Sequence, residues 1–215
     1  MDLKKVGILL GIFFSVFSIF YLGVYIHAAN TNTKDIKTNY VGVSDMMDVD
    51  PNLENTVGQY MYLYQLDSEN RFNPKSDLTR IDAILLVDEI AKRTVPNYLT
   101  KKTTTVPYFD DFKSIDANSD AVLRVVDLID TKDNFYKHYN ILGDKLDRNK
   151  PINLKEFLTL LAVFLPVDKT LGDDYIIKNL SKYNIDLSVN LKSEISRQKS
   201  TIYVDKLMPI INTKE

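Results

Sequence analysis

The 215-residue chain contains no cysteine, which excludes disulfides, thiolate zinc sites and a cysteine nucleophile. A domain without disulfides must hold itself together by packing. Tryptophan is absent and glycine is scarce, at seven residues. No glycine-rich phosphate loop, Gly-x-Ser-x-Gly elbow or zincin motif can be found. The two histidines, His27 and His138, have no visible catalytic partner. The carboxylate pairs Asp110-Asp111 and Asp173-Asp174 suit turns and caps better than a glycosidase pair. The chain is therefore expected not to be an enzyme and to need no cofactor or metal. A strong excess of one charge is also lacking. With Lys4, Lys5 and Asp2 set aside, the 27 basic and 29 acidic residues leave a net charge of about −3. That gives no electrostatic footprint for nucleic acid.

What the chain does have begins at its N-terminus. Lys4 and Lys5 precede an unbroken uncharged run from Val6 to Ile26, rich in Ile, Leu, Phe and Val. Its length matches the roughly 20 residues that a helix needs to cross the ~30 Å hydrocarbon core. Leading lysines put the N-terminus in the cytoplasm and the remainder outside. Tyr21 and Tyr25 suit the interfacial belt. Two readings of residues 1–29 stand: an uncleaved, single-pass membrane anchor, or a secretory signal cleaved near Ala28-Ala29 that leaves a secreted, wall-bound protein. Residues 30–40 are polar and read as a tether.

The rest carries one phrase three times. A Tyr-centred lead (Tyr64-Gln65-Leu66, Tyr139-Asn140-Ile141, Tyr183-Asn184-Ile185) runs into a helix-starting box. The boxes are Leu78-Thr79-Arg80-Ile81-Asp82, Ile152-Asn153-Leu154-Lys155-Glu156 and Ile195-Ser196-Arg197-Gln198-Lys199. The spacing from Tyr64 to Leu78, from Tyr139 to Ile152 and from Tyr183 to Ile195 is nearly constant, shortening by a single position each time. Self-similarity on this scale predicts repeated helical units sharing one core. They fall at 41–94, 106–166 and 167–211. Thr79 with Asp82, and Asn153 with Glu156, have the spacing of a capping box. The third box keeps Ser196 but has Lys199 where the acid belongs. Each box opens a helix: Ile81, Ile84, Leu85 and Ile90 make an apolar face in the first. The second is apolar nearly all round from Leu154 to Leu165 and ends at Pro166, and the third stops near Pro209. Earlier helices are expected around Val57–Tyr64, Ser119–Ile129 and Asp173–Lys182. Phe72 reads as a plug into the core, residues 98–105 as a surface loop, and 130–139 as an insertion.

Arg71-Phe72-Asn73-Pro74 followed by Thr79-Arg80-Ile81-Asp82 resembles the S-layer homology (SLH) domain, with its phenylalanine, proline and Thr-Arg-Ala-Glu sequence in order. Tyr108-Phe109-Asp110-Asp111 is similar to the Phe-x-Asp that opens such a repeat. Lys150-Pro151-Ile152 and Ile195-Ser196-Arg197 supply further copies. The resemblance spans about residues 41–211. It implies a mainly α fold, with three helix-loop-helix repeats in a pseudo-threefold bundle, here preceded by one transmembrane helix. It also implies non-covalent binding of cell-wall polysaccharide or a peptidoglycan-linked polymer, typically an anionic one, at a bacterial cell envelope. The box arginine serves the glycan grooves in that family, which maps onto Arg80 and Arg197. The second copy has Leu154 at that place.

Arg80 and Arg197 each stand at a first helical position, where a cation opposes the helix dipole. Propensity therefore does not explain their recurrence, whereas an anion site of guanidinium and free helix amides would. The plain alternative is a surface arginine paired with Asp77. With Asp82 and Tyr64 they form the glycan-binding set, and Arg80→Ala is expected to change stability by no more than about 0.5 kcal/mol. Tyr60, Tyr62, Tyr64, Tyr139 and Tyr183 suit the core or groove walls. Asp116-x-Asn118-x-Asp120 resembles a calcium loop, but Ala121 replaces the required glycine, and a capped helix start is the reading. Asp48-x-Asp50-x-Asn52 is weaker still. Partners are thus wall glycan and the membrane through residues 6–26. A degenerate scaffold that contacts a surface protein and no sugar is the alternative.

Overall fold

The computed structural model of the protein describes residues 43–100, 109–113, 116–132, 142–166 and 173–212. The expected membrane segment at 6–26, the tether at 30–40, and His138 and Tyr139 in the insertion lie outside these. Among the described residues there are six α-helices, no β-strand and no helix long and apolar enough to cross a membrane. The helices are α1 (Glu54–Tyr60), α2 (Arg80–Thr94), α3 (Ser119–Lys132), α4 (Leu154–Leu161), α5 (Asp173–Leu180) and α6 (Arg197–Asn212). Helix α2 packs on α3 and α4, α1 on α6, and α4 on α5.

The helix starts at the three boxes follow from their sequences. The Thr79 hydroxyl accepts the Asp82 amide while the Asp82 carboxylate accepts the Thr79 amide, a complete capping box. Asn153 and Glu156 do the same for α4. Ser196 Oγ accepts the Lys199 amide at 3.4 Å, and Lys199 has no acceptor with which to answer. The missing carboxylate halves the cap of α6.

Three helix ends differ from expectation. Helix α1 stops at Tyr60 and tightens into a 3₁₀ turn over Met61–Leu63, so Tyr64 sits beyond it in extended backbone. Helix α4 does likewise over Ala162–Phe164, although every residue from Phe157 to Leu165 is buried. The third expected stop is not there: α6 runs through Pro209 to Asn212. A helical proline forfeits one backbone bond and crowds the carbonyl four residues earlier. Here Met208 and Ile211 are buried on either side of the exposed Pro209, so the last turn is held by packing.

The box segments meet at the centre. The Leu78 amide donates to the Ile195 carbonyl (2.7 Å), Ile195 to Ile152 (3.3 Å) and Ile152 to Leu78 (2.9 Å), a closed ring of backbone hydrogen bonds. Two residues on, Arg80 donates to Lys150, Leu154 to Ser193 and Arg197 to Ser76, all at 2.9 Å. One further on, Ile81, Lys155 and Gln198 donate to Arg148, Leu191 and Pro74. Isolated antiparallel bridges (Asp77 with Ser196, Thr79 with Pro151, Asn153 with Glu194) mark the same seams. All three ring residues are buried, and the first two amides of α2, α4 and α6, which a helix start leaves unpaired, find carbonyl partners across the seams.

Candidate functional site

The box arginines are not where an open groove would need them. Arg80 is 4% exposed. Its Nη1 donates to the Leu142 (2.7 Å) and Lys145 (3.1 Å) carbonyls, with Leu146 at 3.4 Å, and its Nη2 donates to Glu156 Oε1 at 2.9 Å. Asp77 takes no part. Arg197 is 6% exposed. Its Nε and Nη2 donate to the Phe72 and Gln65 carbonyls at 2.6 Å each, and its Nη1 is 3.1 Å from Asp82. The guanidinium lies 5.3 Å from the Phe72 ring centroid and 5.6 Å from that of Tyr64. Each arginine therefore crosses a seam, grips the loop of the next box segment, and pairs with the acid that caps that segment's helix. Of the four expected ligand residues, Arg197, Asp82 and Tyr64 converge on one cluster, while Arg80 lies apart on Glu156.

Tyr64 is buried, with its hydroxyl 2.6 Å from Ser200 Oγ and its ring edge-on to Phe72 at 5.3 Å. Burial pushes its phenol well above the ordinary range. Phe72 is fully buried, as a plug should be.

Two carboxylates hold the loops that the arginines grip. Asp45 accepts the Phe72 (2.9 Å) and Asn73 (2.6 Å) amides. Asp111 accepts those of Leu146 (2.8 Å) and Asp147 (2.9 Å). Asn73 and Asp147 take left-handed backbone, with φ of 54° and 46°, a conformation that Asn and Asp tolerate better than most residues. For Asp111, burial works against ionisation, but the two amides outweigh it and hold the carboxyl below its usual range. Asp45 is a position that sequence reasoning missed. Its signal was present, since Val43-Ser44-Asp45 is an apolar-x-Asp like Phe109-Asp110-Asp111. The calcium-like segment is a helix start, with Asp116 paired to Arg148 and Ala121 inside α3.

Between α2 and the start of α3 lies a cleft of about 530 Å³, within the size range of small-ligand sites. Tyr62, Tyr64 and Gln65 line it together with Asp88, Glu89 and Lys92 of α2 and with Asn118, Asp120 and Arg124 at and just before the start of α3. Asp88, 1% exposed, accepts from Arg124 through two bonds (2.9 and 2.8 Å), from Lys92 (2.9 Å) and from the Tyr98 hydroxyl (2.9 Å). Burial pushes its carboxyl up, yet these donors outweigh burial and hold it below the ordinary value. Tyr98 is thus buried, not on the surface loop expected for it. Burial and Asp88 together raise its phenol far above the usual range. Tyr62 stays 42% exposed, with the Arg93 guanidinium 4.8 Å from its ring centroid. One hint of this network was legible beforehand. Asp88 shares a face of α2 with Ile84 and Ala91, and a carboxylate in an apolar stripe needs a partner.

Comparison with protein-family models, with curated proteins and with solved structures finds no match.

Proposed function

We propose that residues 41–211 are an SLH-like module of three helical repeats around a pseudo-threefold axis. In this reading it binds cell-wall glycan non-covalently and fixes a membrane-tethered chain to the envelope. The observation that carries this reading is the closed hydrogen-bond ring of Leu78, Ile152 and Ile195. Three segments of like sequence that donate to one another from equivalent positions are what a threefold arrangement of the repeats requires. The loop carboxylates Asp45 and Asp111, each on the two amides at the same place in its loop, support it independently. The test is sedimentation of the detergent-solubilised full chain with purified sacculi. Co-sedimentation is expected, and a chain that stays in the supernatant with walls from every plausible host refutes the reading.

A second reading, a scaffold that contacts a surface protein and no sugar, is favoured by one observation: both box guanidiniums are consumed inside the fold. Crosslinking in intact cells separates the two. A dominant protein adduct that survives removal of wall polymer selects the scaffold.

A further inference from the structure

We propose that residues 173–194, α5 with the loop that follows it, form a flap that opens from α4 as one unit while α6 and the rest of the described fold stay closed. The inference is independent of what the module binds. It starts from the loops that precede the three box segments. Six positions ahead of Leu78, Ile152 and Ile195 stand Phe72, Leu146 and Val189. The first two are plugs, 0% and 1% exposed, whereas Val189 is 41% exposed. The residues after the plugs, Asn73 and Asp147, take left-handed backbone, and Asn190 at the same place does not. Asp45 and Asp111 reach from far along the chain to hold the amides of the first two loops. The side-chain bonds of the third loop are local: Asp186 accepts the Ser188 amide (2.8 Å) and Asn190 the Lys192 amide (3.0 Å). Arg197 clasps the first loop and Arg80 the second. Buried Leu154 has the arginine's place for the third, and exposed Lys199 stands where the paired acid would be.

Little joins this segment to α4. The Leu154 amide donates to the Ser193 carbonyl and the Lys155 amide to that of Leu191, both at 2.9 Å. Lys155 also lies 3.3 Å from Asp174, but that carboxylate is fully exposed, and exposed pairs contribute little. Helix α5 has 8 residues, of which Ile176, Ile177 and Leu180 are buried apolar ones. Helix α3, which precedes the second loop, has 14 and buries Val122, Val125, Val126, Leu128 and Ile129. On the far side of the third box the attachment is of another order. Arg197 pairs with Asp82, Tyr64 meets Ser200, the Asp50 amide donates to the Gln198 carboxamide at 2.9 Å, and α6 packs along α1. Proteins open locally where buried apolar contact is sparse and few bonds must break. The boundary of the opening unit therefore falls at the half-capped start of α6.

The experiment is hydrogen–deuterium exchange of the detergent-solubilised full chain, read amide by amide in mass spectra at urea concentrations below the unfolding midpoint. Leu154 and Lys155 report the seam from outside the flap, and Ile177 to Leu180 report the interior of α5. Arg80, Ile81, Arg197 and Gln198, whose amides donate across the other two seams, are the internal reference. The first two groups are expected to be protected at least about tenfold less than the reference. They should also share one urea dependence, shallower than that of global unfolding, because a single opening exposes both and uncovers less surface. Equal protection and equal urea dependence at all three seams overturn the flap. So does fast exchange at Leu154 and Lys155 with the α5 interior at the global rate, since the loop then frays without the helix. A second measurement uses Leu154→Arg/Lys199→Glu, which supplies the missing clasp and should raise the protection of both groups toward the reference. Unchanged exchange in the folded double variant overturns the missing clasp as the cause, and where that variant does not fold the wild-type comparison decides alone.

Discussion

Replacing Arg80 with alanine separates an arginine that serves a ligand from one that holds the fold. A side chain reaching into an open groove would be lost at a stability change within about 0.5 kcal/mol. The observed side chain is nearly inaccessible and holds three carbonyls and the Glu156 carboxylate. Breaking a buried ion pair by removing one partner costs about 3–5 kcal/mol. Part of that is returned, because Arg80 Nε is buried without a hydrogen-bond partner, and deleting an unsatisfied donor gives back about 1 kcal/mol. Glu156 also keeps its bond from the Asn153 amide. The net expectation is a loss of about 2–4 kcal/mol. With a urea m-value of about 2 kcal/mol/M for a domain of this kind, the unfolding midpoint should fall by about 1–2 M. Far-UV circular dichroism of the full chain in detergent reads it. Arg80→Lys should recover only part of the loss, since one ammonium cannot serve a carboxylate and several carbonyls in a planar fork. An Arg80→Ala midpoint indistinguishable from wild type would falsify the clasp.

The seam from the second box segment to the third has lost both halves of that clasp, with buried Leu154 at the arginine place and Lys199 at the acid place. Leu154→Arg alone should destabilise, and adding Lys199→Glu should restore stability with a coupling energy above about 1 kcal/mol; an additive double-mutant cycle in urea counts against the equivalence of the seams. Asp45→Ala frees two amides, one of them buried, and should cost about 2 kcal/mol, with Asp111→Ala similar; thermal melts that do not move refute the loop-holding role. The carboxyls of Asp88, Asp111, Asp67 and Asp186 are all held below their ordinary range, so the stability they supply is complete above about pH 4 and drains away as pH falls through their lower folded values. The phenols of Tyr60, Tyr64, Tyr98 and Tyr203 are raised by burial first of all, so their contribution is complete below about pH 10 and is lost above it. Melting temperature against pH should therefore be level from about 5 to 9 and fall at both ends, and a steady slope across neutrality contradicts this.

How far the sequence could be read depended on the range of the interaction. Capping boxes act over three residues, and both complete ones, Thr79 with Asp82 and Asn153 with Glu156, are found as expected. The Phe72 plug needed only a lone aromatic in a polar loop. Arg80 was misplaced because its partners lie 62 to 76 residues away, and spacing within a box cannot say whether a side chain turns outward or across a seam. The absences at Leu154 and Lys199 were both visible and looked unrelated, since only the cyclic order of the segments makes them partners. Pro209 was read as a stop from its chemistry, whereas the burial of Met208 and Ile211, a tertiary fact, decided the outcome.

The hydrogen-bond ring also sets when the domain can fold. Its members, Leu78, Ile152 and Ile195, stand far apart in the chain, so closing it requires two long loops, and such non-local closure is slow. During synthesis, no ring exists until Ile195 has emerged. Until then Leu78 and Ile152 can bond each other but neither has its second partner, and the earlier helices wait on a centre that is still open. A chain cut short of the third box segment would leave the other two unable to close. The segment with the weakest cap is therefore the one whose arrival triggers folding.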